Sequence, residues 1–187
     1  EQIDEVKKKH NGRLHPDGSG KVLITIEGQD YILAGAASSD GDGDRSVIVD
    51  EKGKFWRGDV TTAVYAETLK ADAFVQSLTG NEDARVYLKG RSIQFIDSSV
   101  GSPYHVFIMR QYIRRNSGKR IAGGEVNGGT FIGPNFVLPN GQPIDELITR
   151  DAMLPILTIL WRAIKIEQKP VSELFEGKLD NYADGAG

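Results

Sequence analysis

The sequence predicts an α/β protein: a mixed, mostly parallel sheet flanked by helices, preceded by a partial α/β unit. Three observations lead there. Beyond residue 59, short apolar runs alternate with helix-period segments, at 73–77, 82–89, 92–96 and 102–115. Helix signals punctuate that alternation, with Asn81 before one helix, Gly90 after it and Ser102-Pro103 opening the next. Before residue 59 the chain carries strands and turns, with too few helices to close a layered domain. Two units are therefore expected, 1–58 and 59–187, meeting at Gly58-Asp59.

Taken in order, residues 1–9 read as the tail of a helix, with Ile3 and Val6 one turn apart and Asn11-Gly12 as its stop. A polar loop at 15–20 leads to a strand at 21–26, and a turn returns the chain as a strand at 31–37. Strands at 46–50 and 54–57 flank a turn, and Asp59 is expected to cap a helix reaching about Lys70. In the helix at 102–115, Val106, Phe107, Met109 and Ile113 form the expected apolar face. Arg114 and Arg115 fall in its last turn, where cations suit the helix dipole and face solvent. Residues 119–122 and 130–136 read as strands, and 135–143 as a proline-rich loop. Asp151 then caps a helix apolar on nearly every face, Met153, Leu157 and Ile164 included, which predicts full burial. A short helix at 171–176 runs into a glycine-rich end.

Composition removes several classes of function. With 187 residues the chain can bury a sizeable core in one or two domains. A net charge of −3 gives no general attraction to nucleic acid or acidic membranes, so neither is an expected partner. No apolar run approaches the roughly 20 residues of a membrane-spanning helix. The charged opening EQIDEVKKKH is unlike a secretory signal. Without cysteine there are no disulfides, thiolate metal centres or cysteine nucleophiles, which suits a cytoplasmic setting. His10, His15 and His105 lack zinc-ligand spacing.

The strongest chemical signal is Ser38-Ser39-Asp40-Gly41-Asp42-Gly43-Asp44-Arg45, set between two strands. Glycines between the acids let the backbone bend until three carboxylates converge. Like charges a few ångströms apart repel, so such a cluster suits a cation, and hard oxygen ligands suit Mg²⁺ or Ca²⁺. A solvated acidic turn is the plain alternative. A calcium loop of EF-hand type fits less well: Glu51 falls at its twelfth position, but the glycine required at the sixth is Arg45. Gly18-Ser19-Gly20-Lys21 is no Walker loop either, because His15 and Val22 stand where the pattern needs Gly and Ser/Thr. A second run, Gly123-Gly124-Glu125-Val126-Asn127-Gly128-Gly129, groups four glycines around an acid and an amide. It reads as a close-approach ligand loop or as an Asn-Gly hairpin turn; on spacing alone both stay open.

Together the two loops resemble those of the α-D-phosphohexomutases, the phosphomannomutase, phosphoglucomutase and phosphoglucosamine mutase family. Asp40, Asp42, Asp44 and Arg45 match its D-G-D-x-D-R loop, and 124–129 match its G-E-x-[SN]-G-[GH] loop in order and spacing. The strand after the acidic loop and the Arg150-Asp151 helix start agree as well. The resemblance covers roughly residues 34–175. It implies a sheet of the phosphohexomutase domain 3 type at 59–187 and the end of domain 2 at 1–58. It further implies Mg²⁺ as cofactor on Asp40, Asp42 and Asp44, Arg45 as a catalytic cation, and Gly124, Glu125, Asn127 and Gly128 as the sugar-binding set. The implied reaction moves a phosphoryl group between a phosphoserine and the C1 and C6 oxygens of a mannose, glucose or glucosamine phosphate. The family's serine loop (T-A-S-H-N-P) and phosphate loop (R-x-S-x-T-E-P) do not occur in this sequence. The expected partners therefore include domains 1 and 4 of a mutase, and the chain is expected to be inactive alone. The alternative is a non-catalytic module of the same fold that binds metal or sugar phosphate. Family members often carry a basic residue before the third-domain helix; residues 97–102 hold none, which leaves His105 as the nearest candidate.

Overall fold

A computed structural model describes residues 13–16, 22–138 and 140–175. The helix expected at 1–9 and the glycines at 18 and 20 lie outside the described residues.

The described residues begin with a three-stranded antiparallel sheet: β1 (Arg13–Pro16), β2 (Val22–Ile26) and β3 (Gln29–Ile32). Strand β1 extends into the segment that polarity alone assigned to a loop. The strand expected at 31–37 is divided at residues 33–34, because the chain there leaves one sheet for another. The second sheet comprises β4 (Gly35–Ser39), β5 (Ser46–Asp50) and β6 (Phe55–Trp56), again antiparallel. Just before its first strand the Ala34 carbonyl accepts from the Val171 amide at 3.1 Å, which ties this sheet to the last of the described helices.

From residue 58 the order is α1 (Gly58–Thr68), β7 (Ala73–Ser77), α2 (Glu82–Lys89), β8 (Gln94–Ser98), α3 (Ser102–Arg115), β9 (Ile121–Gly124) and β10 (Thr130–Ile132). There follow a small ladder of β11 (Phe136–Val137) and β12 (Pro143–Ile144), then β13 (Leu147–Asp151), α4 (Met153–Trp161), a π-helical turn (Arg162–Glu167) and α5 (Val171–Phe175). The main sheet has the order β13-β10-β9-β7-β8. Strands β8 and β9 run parallel to β7, while β10 is antiparallel to both its neighbours β9 and β13. All strands but β10 therefore point the same way. The fold is the mixed, mostly parallel α/β sheet flanked by helices that the alternating pattern predicts.

Alternation of side chains across the sheet divides the core. Ala73 and Val75 of β7 pack with Ile121, Phe131 and Met109 beneath α3. Phe74, between them, faces Val64, Tyr65 and Leu88 on the opposite side, where α1, α2 and α4 lie. Ile48 and Trp56 belong to that same second core, so the strands flanking the acidic loop share their apolar packing with α1 and α4.

Several local expectations change. Asp59 is not the cap of α1: it lies inside the first turn, fully buried, where its carboxylate accepts from the Val60 and Asn81 amides and pairs with Arg57. A carboxylate in a helix's first turn remains favourable through the dipole. Asn81 does cap α2, accepting from the Asp83 amide at 2.8 Å. Gly101, not Ser102, occupies the cap position of α3, which releases the Ser102 hydroxyl for another partner. Phe107 projects to solvent from α3. Helix α4 is not wholly buried either; Met153 and Leu157, and Ile164 in the π-helical turn that continues it, are more than half exposed, because only the side carrying Ile156 and Ile159 packs into the core. The strand expected at 130–136 ends at Ile132, and β11 and the first residue of β12 fall within 135–143, which proline content marked as loop, while β13 follows in a segment given no element.

Away from the strand tips, Glu67 ties α1 to α2 and the π-turn. It accepts from the Tyr87 hydroxyl and the Arg91 and Arg162 guanidinium groups, and Arg162 also reaches Thr68 at 3.2 Å. Burial raises the Glu67 pKa, but these three donors outweigh it and hold the group below its ordinary 4.5. A carboxylate lowered on folding adds stability that is complete above its unfolded pKa and disappears as pH falls through the folded value. Glu67→Gln is therefore expected to lose about 1–3 kcal/mol at pH 7, the worth of hydrogen bonds to a charged group. The gap to wild type should close below 4.5. Urea unfolding of both proteins at neutral and acid pH checks this, and a gap that persists in acid would contradict it.

Candidate active site

The parallel strands end at Ser77, Ser98 and Gly124, all on one edge of the sheet. Open α/β sheets bind ligands outside the carboxyl ends of their strands. Both glycine-rich loops converge on this edge.

Asp40 builds the acidic loop. Its Oδ1 accepts from the backbone amides of Asp44 at 3.1 Å and Arg45 at 3.2 Å, and its carbonyl accepts from Gly43 at 3.2 Å. Gly43 takes a left-handed φ of +76°, which an Asp or Arg would adopt only with strain. Oxygens of Asp40, Asp42 and Asp44 consequently lie within 4.8 Å of one another. Arg45 folds back over the loop, its Nε on the Asp40 carboxylate and 3.3 Å from Asp44 Oδ1. Burial raises the Asp40 pKa, but the Arg45 side chain and the two backbone donors outweigh it and bring the group below its usual range. Asp44 moves the other way: burial and the neighbouring negative charges of Asp40 and Asp42 push it up, against the pull of Arg150. Asp44 Oδ1 is buried and accepts no hydrogen bond. A buried carboxylate oxygen that accepts no hydrogen bond and has, among the described residues, only the Arg45 ion-pair contact, beside two further carboxylates, fits a divalent cation with hard oxygen ligands. Glu51, the acid at the calcium-loop spacing, turns away into the core, where it accepts from the Ser172 amide and hydroxyl.

The second loop joins β9 to β10 as a hairpin. The Glu125 amide donates to the Gly129 carbonyl at 2.9 Å, and the Gly128 amide to the Glu125 carbonyl at 3.0 Å. The left-handed position is Gly128, with φ +91°; Asn127 instead holds the turn through its side chain, Oδ1 accepting from the Gly129 amide at 3.0 Å. Glu125 is 8% exposed, and its carboxylate is ringed by long contacts. Asn127 Nδ2 stands at 3.3 Å, the Ser102 hydroxyl at 3.4 Å and Arg150 Nη1 at 3.6 Å. Gly124 faces inward, where a Cβ would come within 2.5 Å of Thr62 on α1. His105 is fully buried, stacked on Phe131 with Nε2 at 3.3 Å from the Gly124 carbonyl. It braces β9 from beneath and does not reach the loop's outer face.

Three residues overlooked in the sequence assemble the site. Ser46 pins the loops together: its amide and hydroxyl both meet the Gly128 carbonyl, at 3.3 and 2.9 Å. The approach is so close that a Cβ on Gly128 would lie 2.3 Å from the Ser46 carbonyl oxygen. Arg150, at the end of β13, bridges Asp44 of one loop and Glu125 of the other. Ser102 opens α3 over Glu125. Only Arg150-Asp151, expected as a helix start, marked this region in the sequence; Asp151 instead ends β13 and Ala152 takes the cap position, although the Asp151 carboxylate still accepts from the Leu154 amide at 2.7 Å.

Residues 57–182 match the family described as phosphoglucomutase/phosphomannomutase, alpha/beta/alpha domain III. The chain belongs to this family, the α-D-phosphohexomutases. It is 27% identical over 204 residues to a phosphomannomutase from Sinorhizobium fredii, covering 96% of this chain and 42% of that protein. A phosphoglucosamine mutase from Clostridium kluyveri is 33% identical over 115 residues, covering 58% of this chain and 24% of the relative. The chain thus spans less than half the length of these relatives. Among solved structures, an N-acetylglucosamine-phosphate mutase of the alpha-D-phosphohexomutase superfamily superimposes with a TM-score of 0.56 at 15% identity, over 80% of this chain and 40% of the other. That likeness concerns the fold. Among the described residues, no helix is long and apolar enough to cross a membrane.

Proposed function

We propose that this chain supplies the metal loop and the sugar loop of a Mg²⁺-dependent phosphohexomutase. In this reading residues 1–58 end the second domain and 59–187 form the third, working with domains 1 and 4 of a mutase in the cytoplasm. The reaction is transfer of a phosphoryl group between C1 and C6 of a hexose phosphate by way of a phosphoserine on another domain. The observation that carries the reading is the juxtaposition of two loops 82 residues apart, locked by Ser46 on Gly128. Asp40, Asp42 and Asp44 would hold Mg²⁺, which when bound offsets the negative charge of a transferring phosphoryl group. Arg45 presents a half-exposed donor fork beside those carboxylates, suited to phosphate oxygens. Glu125 presents two oxygens whose present contacts are long enough for sugar hydroxyls to replace, and a carboxylate can accept from both. The sugar itself, mannose, glucose or glucosamine phosphate, is left open by Val126 and Asn127.

One observation favours the alternative, a non-catalytic module that binds metal or sugar phosphate. The residue over Glu125 is Ser102, which is no proton carrier at neutral pH, and His105 is committed to the core. Placing residues 1–187 within a complete mutase in place of its own segment separates the two. The mutase reading expects interconversion of a hexose 1-phosphate and 6-phosphate that is lost on chelation. Asp42→Asn is expected to reduce that activity about tenfold to a hundredfold, the range for disturbing a metal site. A chimera that folds and yet turns over none of the three sugar phosphates supports the non-catalytic module.

A further inference from the structure

Arg150 is placed as a counter-ion to both loops at once. Its Nη2 lies on Asp44 Oδ2, its Nη1 is 3.6 Å from Glu125 Oε2, and its Cδ would be 3.1 Å from a Cβ on Gly129. The guanidinium is 35% exposed, so it has room to move, whereas the Asp44 and Glu125 side chains are 15% and 10% exposed. Asp44 therefore has one oxygen paired with a partly exposed cation and the other buried without a hydrogen bond, 3.3 Å from Arg45 Nε. A divalent ion seated among Asp40, Asp42 and Asp44 and a guanidinium on Asp44 repel one another and compete for the same carboxylate.

We infer that Arg150 is a built-in competitor for the cation: together with Arg45 it neutralises the acidic loop while the loop is empty, and it is released from Asp44 when a divalent ion binds. Its remaining partner is then Glu125, so filling the first loop tightens the ion pair on the second. Arg150 is in this sense a positioning residue that reports metal occupancy to the sugar loop. The inference rests on the proposed cation site, and its test separates failure of the competition from failure of that site.

The experiment is an NMR titration of the whole chain with Mg²⁺ alone, following the amides of Asp42 and Gly43 for the first loop and of Glu125 and Gly129 for the second. In the wild type both sets are expected to move with one midpoint. In Arg150→Met the first set should move at a midpoint roughly three- to tenfold lower, the scale of removing one partly screened charge at ion-pair distance. The second set should then move much less than in the wild type, since the charged bridge from Asp44 to Glu125 is gone while the Ser46–Gly128 hydrogen bonds still join the loops. Arg150→Lys keeps a cation beside Asp44, so the first-loop midpoint should stay within about twofold of wild type; a fall as large as in Arg150→Met would overturn charge as the competing element. Should Arg150→Met fold poorly, Arg150→Gln serves, with the same expected fall in midpoint. An unchanged or higher midpoint in the neutral variants would overturn the competition while leaving the cation site intact. Second-loop shifts that survive undiminished in the neutral variants would overturn the link to Glu125. No Mg²⁺-dependent shift in any of the proteins would overturn the cation site and the competition together.

Discussion

Trp56→Ala is expected to remove about 3–5 kcal/mol of stability, the range for truncating a buried aromatic side chain. Trp56 is 5% exposed and stacks on Phe175 with ring centroids 4.5 Å apart. Its indole N–H donates to Asp50 Oδ2 at 2.9 Å, and the Lys54 ammonium lies 4.1 Å from its ring centre. The loss therefore combines a cavity, a missing stacking partner and a buried carboxylate deprived of a donor. Domains are commonly stable by about 5–15 kcal/mol, so the variant should stand near the edge of folding. Trp56→Phe keeps the ring and loses the donor, and should cost about 1–3 kcal/mol. Urea denaturation followed by circular dichroism measures both. The same experiment reports how the residues before 58 are held, because Trp56 lies in the core that also contains Val64 and Leu174. A single transition lowered as a whole means that the acidic loop's strands and α1 unfold together. Loss confined to a minor early transition would mean that the earlier unit is held independently.

Glu125→Gln, introduced into a complete mutase carrying this segment, is expected to weaken binding of the sugar phosphate about tenfold to a hundredfold. Replacing a charged acceptor by a neutral one at a sugar hydroxyl removes about 1.5–3 kcal/mol. Stability should change little, because the present contacts of the carboxylate are all 3.3 Å or longer and the amide keeps its shape. Asn127→Ala should give the opposite profile. Its Oδ1 holds the Gly129 amide, so its removal leaves a backbone donor unpaired in a tight hairpin and costs about 1–3 kcal/mol of stability. Thermal melts and substrate titrations of the two variants side by side decide the matter. Full activity in Glu125→Gln, with the expected destabilisation in Asn127→Ala, would make the loop a hairpin turn and nothing more.

Much of this molecule is legible in its sequence wherever local rules decide. Helix α2 begins and ends where Asn81 and Gly90 place it, and Ser102-Pro103 marks the start of α3 to within one residue, because capping and proline geometry depend only on neighbouring residues. The acidic loop is equally local, for Asp40 folds it through bonds no more than five residues away. The family too was within reach, since two spaced motifs need no tertiary information. What the tertiary structure alone decided is which groups meet across the chain. Ser46 on Gly128 and Arg150 between Asp44 and Glu125 join segments far apart in sequence, and no periodicity records them. Burial was likewise misjudged where composition was uniform. Helix α4 is apolar all round, yet the sheet and α1 cover only one side of it, so Met153 and Leu157 stay exposed. His105 shows the converse. A histidine at the start of a helix beside a ligand loop has the composition of a catalytic group, but the helix turns it inward onto Phe131. Side-chain direction follows from helix phase and from the sheet beneath it, and those are fixed only when the whole fold is assembled.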